Sequence, residues 1–154
     1  METFDSLMKK FGFNSPDEIV RLRRFYLEFP ASNMKWGQML VEEAEAIVRY
    51  EKTIQMLNEG KEVINREGGS SMVPIIDPYQ PVVLSPIKDK SKLAKGDIVL
   101  AKVEGKYYLH KISAIKGSGK KKRYQISNNH GYVNGWTSAS KIYGIVTEVL
   151  AKDQ

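Results

Sequence analysis

Gly69-Ser70-Ser71-Met72-Val73-Pro74-Ile75-Ile76-Asp77 is the stretch at which this 154-residue chain changes character. Before it, apolar residues recur at helical spacing. After it, they fall in short β-branched or aromatic runs separated by Gly, Asn, Ser and Lys. The stretch itself sets serine on a glycine-permitted turn, with Met72 and Pro74 available to anchor that turn to a sheet. A serine becomes a nucleophile when a turn exposes its hydroxyl, a base takes its proton, and nearby N–H groups meet the developing oxyanion.

Working backward, Phe4, Leu7, Met8 and Phe11 mark one helix face, and Gly12 can end that helix. Ser15-Pro16-Asp17-Glu18 carries a cap, a first-turn proline and a capping-box acid. Ile19, Leu22, Phe25 and Tyr26 continue the stripe until Phe29-Pro30. Ser32-Asn33 starts a further helix, in which Ala44, Ile47, Val48, Ile54 and Leu57 keep helical spacing to Asn58-Glu59-Gly60. Working forward, residues 82–84, 97–103, 107–115, 123–127 and 142–150 read as strands, with Glu104-Gly105 as a tight hairpin turn. The sequence thus predicts an α+β protein: a small helical domain over residues 1–66, then a mostly-β domain over residues 67–154.

Composition narrows the function. A hydrophobic fraction of 42% supports a core, while no apolar run reaches the roughly 18 residues that span a bilayer. The start, METFDSLMKK, lacks the pattern of a signal peptide. A cytoplasmic protein with no membrane association is expected. Absence of cysteine excludes disulfides, thiol chemistry and cysteine-ligated zinc. Two histidines alone make no metal site, and no cofactor is expected. Net charge is +6, with residues 1–67 holding 10 Lys/Arg against 12 Asp/Glu and residues 68–154 holding 14 against 6. The basic half is the β-rich one.

Gly69-Ser70-Ser71-Met72-Val73-Pro74 resembles the Gly-x-Ser-Met-x-Pro signature of signal peptidases and, more loosely, the Gly-x-Ser-Met of LexA-type repressors. Further segments follow in the order of that superfamily: Val82-Val83-Leu84, Gly96-Asp97-Ile98-Val99, Tyr107-Tyr108-Leu109-His110-Lys111-Ile112 and Gly144-Ile145-Val146. The resemblance covers about eighty residues and implies a serine-peptidase-like β domain. Ser71 would be its nucleophile, and the Ser71 backbone N–H a donor to the oxyanion. LexA-type repressors and bacterial signal peptidases place an apolar residue, a lysine and an arginine on the base-bearing strand. Here His110 occupies the lysine position, which is closer to the Ser-His signal peptidases of the endoplasmic reticulum and archaea. An imidazole with an ordinary pKa near 6.5 suits a general base, whereas a lysine must first be desolvated. Strand alternation lets only one of His110 and Lys111 face Ser71. His110 is the expected base and Lys111 the alternative.

Ser-His enzymes of this kind orient the histidine with an aspartate in the loop after the next strand. That region here reads Ser127-Asn128-Asn129-His130-Gly131-Tyr132, without a carboxylate. Asn128 or Asn129 can hydrogen-bond the imidazole, with Asn129 the candidate carried forward, and the segment also reads simply as a turn. No Ala-Gly or Cys-Gly pair of the LexA cleavage type is present, so self-cleavage would use another bond. The substrate or partner expected is a protein, the chain itself included.

Upstream, the run from Trp36 to Glu51 resembles the helix-turn-helix of phage repressors, with Gly37 at the small position and an Arg49-Tyr50-Glu51 ending. Val41 stands where that family has a turn glycine, and Glu42, Glu43 and Glu45 oppose contact with a polyanion. This gives the alternative function: a non-catalytic, phage-repressor-like regulator or interaction module, with DNA as a partner and homodimerisation through the β domain. Finally, Lys120, Lys121, Lys122 and Arg123 follow Gly117-Ser118-Gly119 as a hairpin tip. They read as a solvated cluster or as a contact for an anionic partner, with Tyr124, Tyr132 and Trp136 as candidate stacking surfaces.

Overall fold

Helix α1 runs without interruption over Met34–Asn58, because Leu40-Val41-Glu42-Glu43-Ala44-Glu45-Ala46 holds no glycine or proline to break it. The computed structural model describes residues 34–152, with side chains from residue 45 onward. The helices expected over residues 4–11 and 15–29, and the start at Ser32-Asn33, lie outside the described residues. The helix is continuous across Val41, the position at which the helix-turn-helix reading of Trp36 to Glu51 places a turn. The helix ends in a Schellman arrangement. Gly60 adopts φ +83°, its N–H donates to the Leu57 carbonyl at 3.0 Å, and the Lys61 N–H donates to the Met56 carbonyl at 3.0 Å.

Seven antiparallel strands follow: β1 (Val63–Arg66), β2 (Pro81–Ser85), β3 (Ile98–Val103), β4 (Lys106–Lys116), β5 (Arg123–Ser127), β6 (Val133–Ser138) and β7 (Ile142–Val149). They form one sheet in the order β1-β2-β7-β3-β4-β5-β6. The α+β class is therefore correct for the described residues. The chain separates into two compact units between Thr53 and Ile54. Arg66 also pairs with Pro81 inside the sheet.

The β3–β4 hairpin turns at Glu104 and Gly105, whose φ values of 49° and 84° are those of a type I′ turn. Its register pairs Val99 with His110 and Leu100 with Leu109. Buried side chains from several strands meet on one face: Val99, Ala101, Val103, Ile112, Tyr124, Ile126 and Ile142, with Leu93 from the β2–β3 connection. The sheet curls enough to bring β6 against β3. Thr137 Oγ1 donates to the Lys102 carbonyl at 2.7 Å, and a methyl placed on Gly135 would lie 3.0 Å from Val103. Among the described residues, no helix is long and apolar enough to cross a membrane.

Candidate functional site

Two connections meet above the sheet: residues 67–80 between β1 and β2, and residues 128–132 between β5 and β6. The first carries Ser71. Its base is closed by the Tyr79 N–H donating to the Glu67 carbonyl at 2.6 Å and by Arg66 Nη1 donating to the Tyr79 carbonyl at 3.2 Å. The Tyr79 ring lies close over Gly68, where a β-carbon would stand 2.8 Å from its hydroxyl. Gly69 then takes φ +83°, a left-handed turn that brings the chain to Ser70 and Ser71. Met72 is buried and anchors the loop, as expected. Pro74 is exposed and does not.

The second connection grips the first. Asn128 Oδ1 accepts from the N–H groups of His130 and Tyr132, both at 2.9 Å, and this fixes the turn. The turn then donates to three carbonyls of the serine loop. His130 Nε2–H reaches the Ser70 carbonyl at 2.8 Å, the Asn129 N–H reaches the Ser71 carbonyl at 2.8 Å, and Asn129 Nδ2 reaches the Val73 carbonyl at 3.0 Å. Residues 128–131 are thus both a turn and a clamp on the serine.

Ser71, so held, meets His110 from the middle of β4. Ser71 Oγ and His110 Nε2 are 3.2 Å apart, and His110 Nδ1 lies 2.7 Å from Asn134 Oδ1. With the Asn134 oxygen as acceptor, Nδ1 carries the ring proton and Nε2 is left to accept from the serine hydroxyl. That is the tautomer a general base needs. The Tyr108 ring packs beside the imidazole with centroids 5.2 Å apart. The Ser71 N–H makes no hydrogen bond to another group among the described residues, so it is available to an oxyanion.

Asn129 does not orient the imidazole. Its Oδ1 accepts from Lys111 Nζ at 3.2 Å while its amide nitrogen serves Val73. The orienting amide is Asn134, on β6. Lys111, one residue along β4, points its amine to Asn129, while His110 reaches Ser71. Glu67 is a second residue that sequence reasoning passed over. Its carboxylate acts on His110 through space and accepts from Asn65 Nδ2 at 3.1 Å.

Burial pushes the His110 pKa below its ordinary 6.5; the Asn134 hydrogen bond and the Glu67 charge oppose that shift without cancelling it. At neutral pH the ring is therefore uncharged and ready to accept a proton. A lowered folded pKa means the unfolded chain binds the extra proton first on acidification. The stability this group contributes is full above pH 6.5 and is lost as pH falls through the lower, folded value. Urea unfolding of wild type and His110→Gln across pH 7 to 5 is expected to show a steeper acid loss in wild type. Parallel curves would contradict the assigned burial.

A cavity of about 410 Å³ lined by Leu57, Ile87, Lys90 and Tyr143, among others, includes neither Ser71 nor His110. Among the described residues no cluster of His, Cys, Asp or Glu is arranged to hold a metal ion. Lys120, Lys121 and Arg123 are exposed around the β4–β5 turn, and Lys122 is half-buried. Tyr124 is 1% exposed, a core residue and no stacking surface, whereas Tyr132 and Trp136 are open to solvent. No protein-family model, curated protein or solved structure matches the chain.

Proposed function

We propose that the β unit is a serine-peptidase-like domain, related to LexA-type repressors and signal peptidases, that cleaves its own chain or a protein partner. The observation that carries this reading is the Asn134–His110–Ser71 relay, with contacts of 2.7 Å and 3.2 Å. In this reaction His110 Nε2 takes the Ser71 Oγ proton as the oxygen attacks a peptide carbonyl. The oxyanion of the tetrahedral intermediate accepts from the Ser71 N–H. His110 then returns the proton to the leaving amine, and water hydrolyses the acyl-serine by the same base. Asn134 keeps the ring in its acting tautomer but adds no negative charge, and Glu67 supplies the nearby charge instead.

Incubation of wild-type protein between pH 6 and 9, followed by intact-mass measurement, tests the reading for self-cleavage. A fluorophosphonate probe tests the nucleophile independently of substrate. Expected are fragments, or a covalent adduct on Ser71, that disappear in Ser71→Ala. Fragments that persist in Ser71→Ala, or a wild-type protein that neither fragments nor labels, would overturn it.

A further inference from the structure

From Gly105 to Thr147 the chain holds eight lysines and arginines and no aspartate or glutamate. This stretch runs through β4, β5, β6 and most of β7, and seven of its eight basic residues lie in β4, the β4–β5 turn and the start of β5, which are neighbours in the sheet. Its densest point is the β4–β5 turn. Register pairs Lys116 with Arg123, and Lys120 and Lys121 stand between them on a single 3-10 turn, Gly119–Lys121. That turn is built, not loose. The Lys121 N–H donates to the Ser118 carbonyl at 3.1 Å and the Lys122 N–H to the Gly119 carbonyl at 3.2 Å. Gly117 at φ +78° passes so near the Lys121 carbonyl that a β-carbon would sit 2.6 Å from it. Lys116 is positioned in turn by Trp136, with its ammonium 4.1 Å from the ring centroid.

None of Lys116, Lys120, Lys121 and Arg123 meets a carboxylate among the described residues. Four exposed cations held within one turn of chain, without internal neutralisation, fit a polyanion. The surroundings choose which one. A loop that docks on a bilayer joins its cations to apolar or aromatic wedges. Here the neighbours are Gly117, Ser118, Gly119 and, opposite Arg123, Ser138, and the one exposed aromatic beside them, Trp136, is covered by the Lys116 ammonium. The exposed Tyr132 and Val133 lie at the other end of β6, where Val133 pairs with Ser127. Small residues and a serine hydroxyl beside cations suit close approach of phosphates.

We propose that the β4–β5 turn binds the phosphodiester backbone of nucleic acid without reading its sequence. Lys116 and His110 are six residues apart on β4, roughly 20 Å along a strand, so nucleic acid held at the turn leaves the serine accessible. The proposal stands apart from the peptidase reading and neither needs the other.

Fluorescence anisotropy of the full chain with a short labelled DNA duplex and its single strand, titrated with salt, tests it. Four phosphate contacts give a slope of log K on log salt of about −3.6 for duplex. Lys120→Ala/Lys121→Ala is expected to weaken binding about tenfold or more at low salt and to flatten the slope by about 2. Lys61→Ala/Lys152→Ala removes the same charge at positions already paired with Glu59 and Asp77, and is expected to stay within about twofold of wild type. Equal losses in the two double variants, no loss in Lys120→Ala/Lys121→Ala, or no binding at low salt would overturn the proposal. So would tighter binding to vesicles of phosphatidylcholine and phosphatidylserine in equal parts than to either oligonucleotide.

Discussion

His110→Ala is expected to lower the rate of self-cleavage, or of fluorophosphonate labelling at Ser71, by about 10²–10⁴-fold, the range a positioned general base supplies. The serine hydroxyl is a poor nucleophile while it keeps its proton. His110 Nε2, 3.2 Å from Oγ, is the group in the structure able to take it. Lys111 does not substitute, because its amine is engaged with Asn129 Oδ1 at 3.2 Å. Asn134→Ala is expected to cost less. It removes one hydrogen bond to the imidazolium formed in the transition state, and bonds to charged groups contribute about 1.5–3 kcal/mol, or roughly 10- to 150-fold in rate. The burial that lowers the His110 pKa places the acid limb of the wild-type pH–rate profile below 6.5. Single-turnover labelling rates across pH, for wild type and both variants, read all of these. Equal rates in His110→Ala and wild type would leave Ser71 without the proposed base.

Much of this arrangement is legible in the amino-acid sequence, and the exceptions have physical causes. Strands β3, β4, β5 and β7 announce themselves by β-branched and aromatic runs between turn residues, as at Ile98–Val103 and Arg123–Ser127. Val63-Ile64-Asn65-Arg66 does not, since four residues following a long helix give too little alternation to register, and Ile64 is open to solvent. Val133-Asn134-Gly135-Trp136 is worse still: an Asn-Gly pair is the strongest short turn signal there is, yet here it lies inside β6. Gly135 adopts φ +143° at a register shift opposite Ile126 and Ser127, so the glycine marks an irregularity in a strand rather than its end. This turn-like pair conceals a strand that no sequence pattern marks, and Asn134 with it. Ser71 and His110 can be singled out because each belongs to a local pattern of residues. Their helpers cannot, because Asn134 reaches His110 from two strands away in the sheet and Glu67 acts across the serine loop, and no local pattern encodes either placement. In α1 a family-like spacing coexists with a continuous helix, since Glu42 to Ala46 are good helix formers and no glycine or proline stands at the turn position.

Ile112→Ala is expected to lower the unfolding free energy by about 2–5 kcal/mol, the range for deleting a fully buried isoleucine side chain. The residue has no solvent exposure and lies in the cluster formed by Val99, Ala101, Tyr124, Ile126 and Ile142. Its backbone is also a joint between elements. The Ile112 N–H donates to the Asp97 carbonyl at 2.8 Å and its carbonyl accepts from the Gly96 N–H at 2.8 Å, tying the entry of β3 to β4. The ladder with β5 shifts register between Ile112 and Ala114, so β4 cannot slide to close a cavity without breaking pairs on both sides. Poor collapse puts the expected cost toward the upper part of the range. Ile112→Val keeps most of the volume and is expected to cost only about 0.5–1.5 kcal/mol. Urea unfolding monitored by tryptophan fluorescence measures both, with the midpoint moving and the slope unchanged if the unfolded state is unaffected. The strand that loses this anchor also carries His110 two residues away, with Asn134 held across the sheet on β6. Below the unfolding midpoint, Ile112→Ala is therefore expected to label more slowly at Ser71 than Ile112→Val. A destabilised but normally reactive Ile112→Ala would show that the turn at residues 128–132 is sufficient to hold the serine against its base.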